Sequence, residues 1–253
     1  MLNRYLPKVQ GKVNFIPKFT AADFLRNDGI EIRFHPKNCI IVFSRQLYKM
    51  LVDDLSLRES DLFYRGAFHE AISEDLGLYT VRIYPGGPLA AATVEELASA
   101  GASKFLLLGT AGSINPKVRF GDLVVCTKAV RDEGTSYHYL RPSLFAYPSM
   151  PLTDRLFKAL GKNGINATKG ITWTTDAPYM ETMEEIEEFR NRGVLTVEME
   201  AASLFAVSKR RTVESAAIFS ISDELHGKKW TGMGVPEEGF RNLVKSAHLF
   251  ADI

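Results

Sequence analysis

The chain is poor in the residues that build covalent or metal frameworks. Its 253 residues include two cysteines, Cys39 and Cys126, each inside an apolar run. Two isolated thiols cannot form a disulfide scaffold, and neither lies in a Cys/His cluster, which argues against a zinc site. Histidine numbers only five; His138 and His226 fall in polar stretches with no metal-ligand spacing and read as solvated loop residues. An excess of one charge is also missing, with 31 Lys and Arg against 30 Asp and Glu. That balance argues against bulk attraction to nucleic acid or a membrane surface. No run approaches the roughly 18 apolar residues that would cross a bilayer. The first residues, through Pro7, carry no apolar core of a secretory signal. Low-complexity segments, internal repeats and linkers are lacking as well. These absences predict a soluble cytoplasmic protein, one domain over residues 1–253, without a metal or a resident cofactor.

What is present is a series of short, solidly apolar runs separated by helical patterns. Cys39–Ser44, Thr80–Tyr84, Phe105–Leu108, Leu123–Thr127, Ala167–Thr172 and Ala216–Ser222 read as buried strands. The aromatics Phe63, Tyr64 and Phe68 could supply another. Helical spacing covers Gln46–Val52, residues 88–100 with Pro88 suited to the first turn and Gly101 to the end, Thr153–Leu160 closed by Gly161, an acidic stretch Glu181–Arg190, and a last helix bearing Phe240, Leu243, Val244, Ala247 and Ala251 on one face. Strands alternating with helices predict an α/β fold with a mixed, mostly parallel central sheet flanked by helices. In such sheets ligands bind beyond the carboxyl ends of the strands.

Several polar residues fall at those ends. In Val197-Glu198-Met199-Glu200-Ala201-Ala202-Ser203-Leu204-Phe205-Ala206, two carboxylates stand at the mouth of an apolar helix. They could complement the helix dipole. Alternatively, partly desolvated, they could need a partner such as a ligand hydroxyl. Gly86-Gly87-Pro88 and Gly109-Thr110-Ala111-Gly112 read as strand-end loops, either plain tight connections or cradles whose N–H groups and Thr110 hydroxyl face an anion or a sugar. Asp223 could cap the segment after its strand or act as a general acid. Arg131-Asp132-Glu133 reads as a structural ion-pair network, at a subunit interface in one version.

Taken together and in order, Gly86-Gly87-Pro88, Leu107-Leu108-Gly109-Thr110-Ala111-Gly112, Gly121-Asp122, Arg131 to Ser136, Val197 to Ala202 and Ser222-Asp223 resemble the nucleoside phosphorylase family, which includes purine nucleoside phosphorylases, uridine phosphorylases and methylthioadenosine nucleosidases. The resemblance spans about residues 80 to 225. It implies a central sheet forming a distorted barrel, a homo-oligomer (a dimer or a trimer of dimers), and cleavage of a ribosyl C1′–N bond with inorganic phosphate as co-substrate. By motif position, Glu200 would take the ribose 2′ and 3′ hydroxyls, Met199 would lie under the sugar, and Glu198 would support them. Asp223 would serve the purine N7. Gly87, Gly109, Thr110 and Arg45 would lie on the phosphate side, with Arg58 or Arg65 reaching in from a neighbouring subunit. Pro178, Tyr179 and Val197 would line the base pocket.

The departures are specific. Where the family carries Gly-Asp-x-x-Arg after the first strand, this chain reads Phe43-Ser44-Arg45-Gln46-Leu47, and Leu107 stands where a second arginine is usual. A base-stacking phenylalanine is replaced by Pro178, and Met180 to Glu185 holds no Gln/Arg pair for a pyrimidine. Asp223 therefore favours purines. The missing arginines leave a hydrolytic nucleosidase as the rival reading, although no Gly-Ala-Met-Glu-Glu-like run supplies its usual base. A non-catalytic nucleoside-binding protein is a third reading, opposed by the retained Glu200 and Asp223.

Overall fold

A computed structural model describes residues 11–29, 36–60, 69–232, 234 and 237–253. Phe63, Tyr64, Arg65 and Phe68 lie outside the described residues.

The apolar runs become strands of one sheet: β1 (Asn38–Val42), β2 (Arg58–Ser60), β3 (His69–Ser73), β4 (Leu78–Arg82), β5 (Lys104–Ser113), β6 (Leu123–Asp132), β7 (Phe145–Ala146), β8 (Thr168–Thr175), β9 (Val194–Glu198) and β10 (Glu214–Glu224). The pairing path β10-β6-β8-β9-β5-β1-β4-β3-β2 includes an additional β10–β5 contact. The path therefore closes on itself through β5, β10, β6, β8 and β9, and β1, β4, β3 and β2 continue from β5 as an open wing. The closed part is the expected distorted barrel. Parallel ladders run through β4–β1–β5–β10 and β6–β8–β9. Antiparallel seams β5–β9 and β6–β10 join those two groups.

Helices cover both faces. The described ones are α1 (Ala21–Asn27), α2 (Arg45–Asp54), α3 (Gly87–Ser99), α4 (Ser136–Tyr139), α5 (Met150–Lys162), α6 (Met183–Asn191), α7 (Ala201–Arg211) and α8 (Glu237–Ala251). Alternation along the strands divides the core. Cys39, Ile41, Tyr79, Val81, Phe105 and Leu107 face α3 and α7 through Ala90, Val94, Ala202 and Phe205. Ile40, Val42, Leu78, Leu106 and Leu108 face α2 and α8 through Leu47, Tyr48, Leu51, Leu243 and Phe250. Burial of these side chains, roughly 1.5–3 kcal/mol each, holds the two layers against the sheet.

Three expectations are corrected. Gly109-Thr110-Ala111-Gly112 is not a loop: β5 runs through it to Ser113, with Gly109, Thr110 and Ala111 in register with Phe219, Ser220 and Ile221 of β10, and Gly112 with Val197 of β9. Its small residues serve the barrel's closure. A Cβ on Gly112 would lie 2.4 Å from Leu225 Cδ1 and 3.2 Å from Val197 Cγ1, so the strand pairs closely because no side chain is there. Gly161 does not end α5, which continues to Lys162 and is capped by Asn163. Among the described residues of one chain, Arg131 and Glu133 form no ion pair. The buried Arg131 guanidinium donates to the Ser136 and Ser143 hydroxyls and the Arg141 carbonyl, each at 2.8 Å.

Candidate active site

The site is built where β9 passes into α7. Glu198 ends β9 and Glu200 occupies the N-cap position of α7. Both are buried, with 6% and 4% of their surface exposed, which sets aside a simple surface dipole role. Glu198 Oε2 accepts from the backbone N–H groups of Glu200 and Ala201 at 2.8 and 2.7 Å, and Oε1 accepts from Thr174 Oγ1 at 2.5 Å. It thereby satisfies the otherwise open amides at the start of α7. Its oxygens are engaged by protein donors, so its place is behind the site.

Glu200 differs. Its Oε1 accepts from the backbone N–H of Gly86 at 2.7 Å, in the turn between β4 and α3. Gly86 has φ 127°, a conformation open to glycine. Gly87 beside it packs so closely that an added Cβ would meet Ser203 Oγ at 2.4 Å. Ser203 in turn donates to Glu133 Oε2 at 2.6 Å, and the Ser136 N–H donates to the same oxygen at 2.8 Å. Glu133, buried at the end of β6, thus fixes the first turn of α7 against the Gly86–Gly87 turn. Sequence reasoning missed this link, because the partners are separated by some seventy residues.

Burial raises the Glu198 and Glu200 carboxyls well above the ordinary glutamate range, in Glu200 with Glu198's charge as the next cause. The donors around Glu198 and the Gly86 N–H pull the other way without cancelling the burial.

Asp223 sits near the end of β10, level with Gly112 of β5. Ser222 Oγ donates to its Oδ1 at 2.6 Å and Trp230 Nε1 to its Oδ2 at 2.8 Å. A Cβ on Gly112 would lie 3.4 Å from Oδ2, so the missing side chain leaves Asp223 room over the strand. Buried Val197 also touches the Gly112 position. Glu181, expected to open the acidic helix, lies instead before α6, which begins at Met183. It follows the short 3-10 turn Pro178–Met180, and its carboxyl is pushed up to about 7 by burial first and then by the charges of Asp223 and Glu185. A carboxylate in a loop gives no periodic signal, and only the fold brings it toward Asp223.

The remaining expected residues are more dispersed. Met199, half-buried, lies between the two glutamates. Pro178 and Tyr179 are exposed, and the Tyr179 ring is fully in solvent. Gly109 packs against the Phe43 ring, and Thr110 is level with Ser220. Arg45 opens α2 at the carboxyl end of β1 and is exposed. Arg58 pairs with Ile72 of β3, at the start of β4 and thus at the opposite end of the wing from Gly86, and it bridges Glu74 at 3.3 Å. His226 is not simply solvated, since its Nε2 lies 3.0 Å from Glu224. A cavity of about 800 Å³ lies elsewhere, lined by Phe15, Phe19, Phe24, Glu95, Tyr139 and Arg211 among others and by none of the site carboxylates. Among the described residues, no group of three His, Cys, Asp or Glu is placed to hold a metal ion, and no helix is long and apolar enough to cross a membrane.

Comparison with known proteins agrees with this geometry. The chain is 33% identical over 206 residues to a guanosine phosphorylase of Halorubrum lacusprofundi, covering 79% of this chain and 83% of that one. It is 34% identical over 136 residues to a uridine phosphorylase of Thermococcus kodakarensis, covering 49% of each. Its fold superposes on a purine nucleoside phosphorylase from Toxoplasma gondii in complex with immucillin-H, with TM-score 0.76, 21% identity, and coverage of 87% of this chain and 92% of the other. An AMP nucleosidase from Bacteroides thetaiotaomicron shares the fold with TM-score 0.73 at 20% identity, over 92% of this chain and 97% of that one. A family model described as the phosphorylase superfamily matches residues 57–250, and the chain belongs to that superfamily.

Proposed function

We propose that this protein is a nucleoside phosphorylase that cleaves the ribosyl C1′–N bond of a purine nucleoside, giving the free base and ribose 1-phosphate. The observation that carries the reading is the buried Glu200, whose carboxylate hydrogen bond within the described residues uses Oε1, on the Gly86 N–H, leaving Oε2 for a ligand. A buried carboxylate with an open oxygen is suited to the two hydroxyls of a ribose diol. Met199 lies beneath the sugar, and Val197 with Gly112 borders the base.

In the reaction, the C1′–N bond breaks with its electron pair passing to the base. Asp223 delivers a proton to the purine N7, which makes the base a better leaving group. The ribosyl carbon gains positive character, and the carboxylates around it stabilise that charge in a water-poor setting. A phosphate oxygen then bonds to C1′, completing the transfer. Asp223 favours a purine, and the guanosine phosphorylase relationship supports that preference. We place the enzyme in the cytoplasm as a homo-oligomer, with no resident cofactor.

Hydrolysis is the second reading, favoured by Leu107 in the place of a phosphate arginine and by the fold shared with an AMP nucleosidase. A nucleoside panel assayed with and without phosphate separates the two. Ribose 1-phosphate formed only with phosphate upholds phosphorolysis; free ribose formed regardless of phosphate replaces it with hydrolysis.

A further inference from the structure

The nucleoside half of the site is rich in carboxylates, and the two arginines expected for phosphate are not at their family positions. An unclaimed cation lies at the same end of the sheet. Arg82 ends β4, four residues before Gly86, in register with Val42 of β1 and His69 of β3. Its face is set by alternation: Leu78 of β4 packs with Val42, Leu108, Leu47 and Tyr48, so Arg82 shares the face covered by α2. Thr110 of β5 lies two residues beyond Leu108 on that same face. Ser44, the N-cap of α2, follows two residues after Val42, the last residue of β1, which pairs with Leu108.

The Arg82 side chain is half-buried, and its Nε is buried without a hydrogen-bond acceptor. Among the described residues it forms no ion pair. Its guanidinium carbon stands 6.0 Å from the ring centroid of Tyr84, two residues nearer the Gly86 turn. Glu59 and Glu70 neighbour this region, since their charges reach Tyr48 as Arg82's does. Glu70, however, is taken by the Tyr79 hydroxyl. Ser220, buried and in register with Thr110, also has an unpartnered hydroxyl. A buried guanidinium N–H without a partner is costly, and an oxyanion would relieve it. The start of α2, with its open amides and exposed Arg45, faces the same end.

We propose that Arg82 is the cation that binds the phosphate co-substrate here, acting with Thr110 and the N-terminus of α2 in place of the missing family arginines. The proposal rests on the phosphorolytic reading above, but phosphate binding can be measured apart from turnover. Arg82 is then a specificity-determining residue for phosphate over water, and Glu200 and Asp223 remain responsible for the nucleoside.

The test compares the full-length wild type with Arg82→Gln and Arg82→Lys, varying phosphate and nucleoside separately. Loss of a charge-assisted contact should lower kcat/KM for phosphate about 30-fold in Arg82→Gln, with the nucleoside KM within about twofold, and Arg82→Lys should restore part of the loss. Inorganic phosphate alone should raise the Tm of the wild type and of Arg82→Lys but not of Arg82→Gln. Should Arg82→Gln fail to fold, Arg82→Lys still tests the site through a raised phosphate KM at constant nucleoside KM. Unchanged phosphate dependence in a folded variant, or an equal loss toward both substrates, overturns the assignment. A wild type that forms free ribose regardless of phosphate refutes phosphorolysis. If its phosphate-induced Tm shift nevertheless disappears in Arg82→Gln, the anion site stands on its own, and if there is no shift it falls too.

Discussion

The backbone nitrogen of Gly86 and the Glu200 carboxylate lie 2.7 Å apart, although 114 residues separate them. This bond leaves Glu200 anchored at one oxygen and available at the other. It also sets what each part of the site should do when altered.

Removal of the Glu200 carboxylate should affect binding and turnover together. Glu200→Ala forfeits charge-assisted bonds to the sugar and leaves the Gly86 N–H without its acceptor. A fall in kcat/KM of roughly 100-fold or more is expected, from one or two bonds of about 1.5–3 kcal/mol each. Steady-state kinetics on purine nucleosides measure it, and full activity would exclude Glu200 from the sugar site.

Asp223→Asn should act on the leaving base. The amide can still receive the Trp230 N–H on its oxygen but cannot supply a carboxyl proton. Turnover on purine nucleosides should fall by roughly 100-fold or more, the scale of general acid catalysis. An unchanged rate would remove Asp223 from the chemistry.

Gly87→Ala should damage the turn that carries Gly86, because its Cβ would meet Ser203 Oγ at 2.4 Å and Ser203 Cβ at 3.1 Å. We expect a stability loss of about 1–3 kcal/mol together with reduced activity. Adding Ser203→Ala should recover part of both by removing the nearer contact. Chemical denaturation of the two single variants and the double variant gives the coupling, and strict additivity would count against this contact as the cause.

The raised carboxyls make two pH dependences. Glu198 and Glu200 hold protons in the folded state above the ordinary glutamate range, where the unfolded chain has already released them. Their contribution to stability is therefore largest at acidic pH and declines as pH rises from about 4.5 through the raised folded values. The urea midpoint should drop over that interval, and Glu198→Gln should flatten the drop. Nucleoside binding has the opposite sense, since the diol hydroxyls need an ionised acceptor: kcat/KM should climb as Glu200 loses its proton. A pH profile of Glu200→Gln lacking that limb would identify the group, and a profile identical to wild type would reject it.

The α/β class and most strands were legible because each strand is an apolar run bounded by polar or glycine-containing segments. The continuation of β5 through Gly109–Ser113 was not. Residues with little side chain resemble a loop in sequence, whereas here they allow β9 and β10 to approach from either side. Glu198 and Glu200 were legible as acids entering an apolar helix, but local sequence could not separate their surroundings. That separation depends on Thr174 reaching Glu198 and Gly86 reaching Glu200. Glu181 read as part of the acidic helix and Arg82 as the polar end of an ordinary strand, and only register and burial distinguish them.

Closure of five strands with four left as a wing has a mechanical consequence. Glu200 emerges from the closed part, and Gly86 from the wing, so their bond joins two pieces of sheet that also meet along β1 and β5 and through the packing of α3 on α7. A sugar bound at Glu200 would tighten that join. Substrate occupancy should thus slow amide exchange in β4 and the start of α3 more than in β6 or β8.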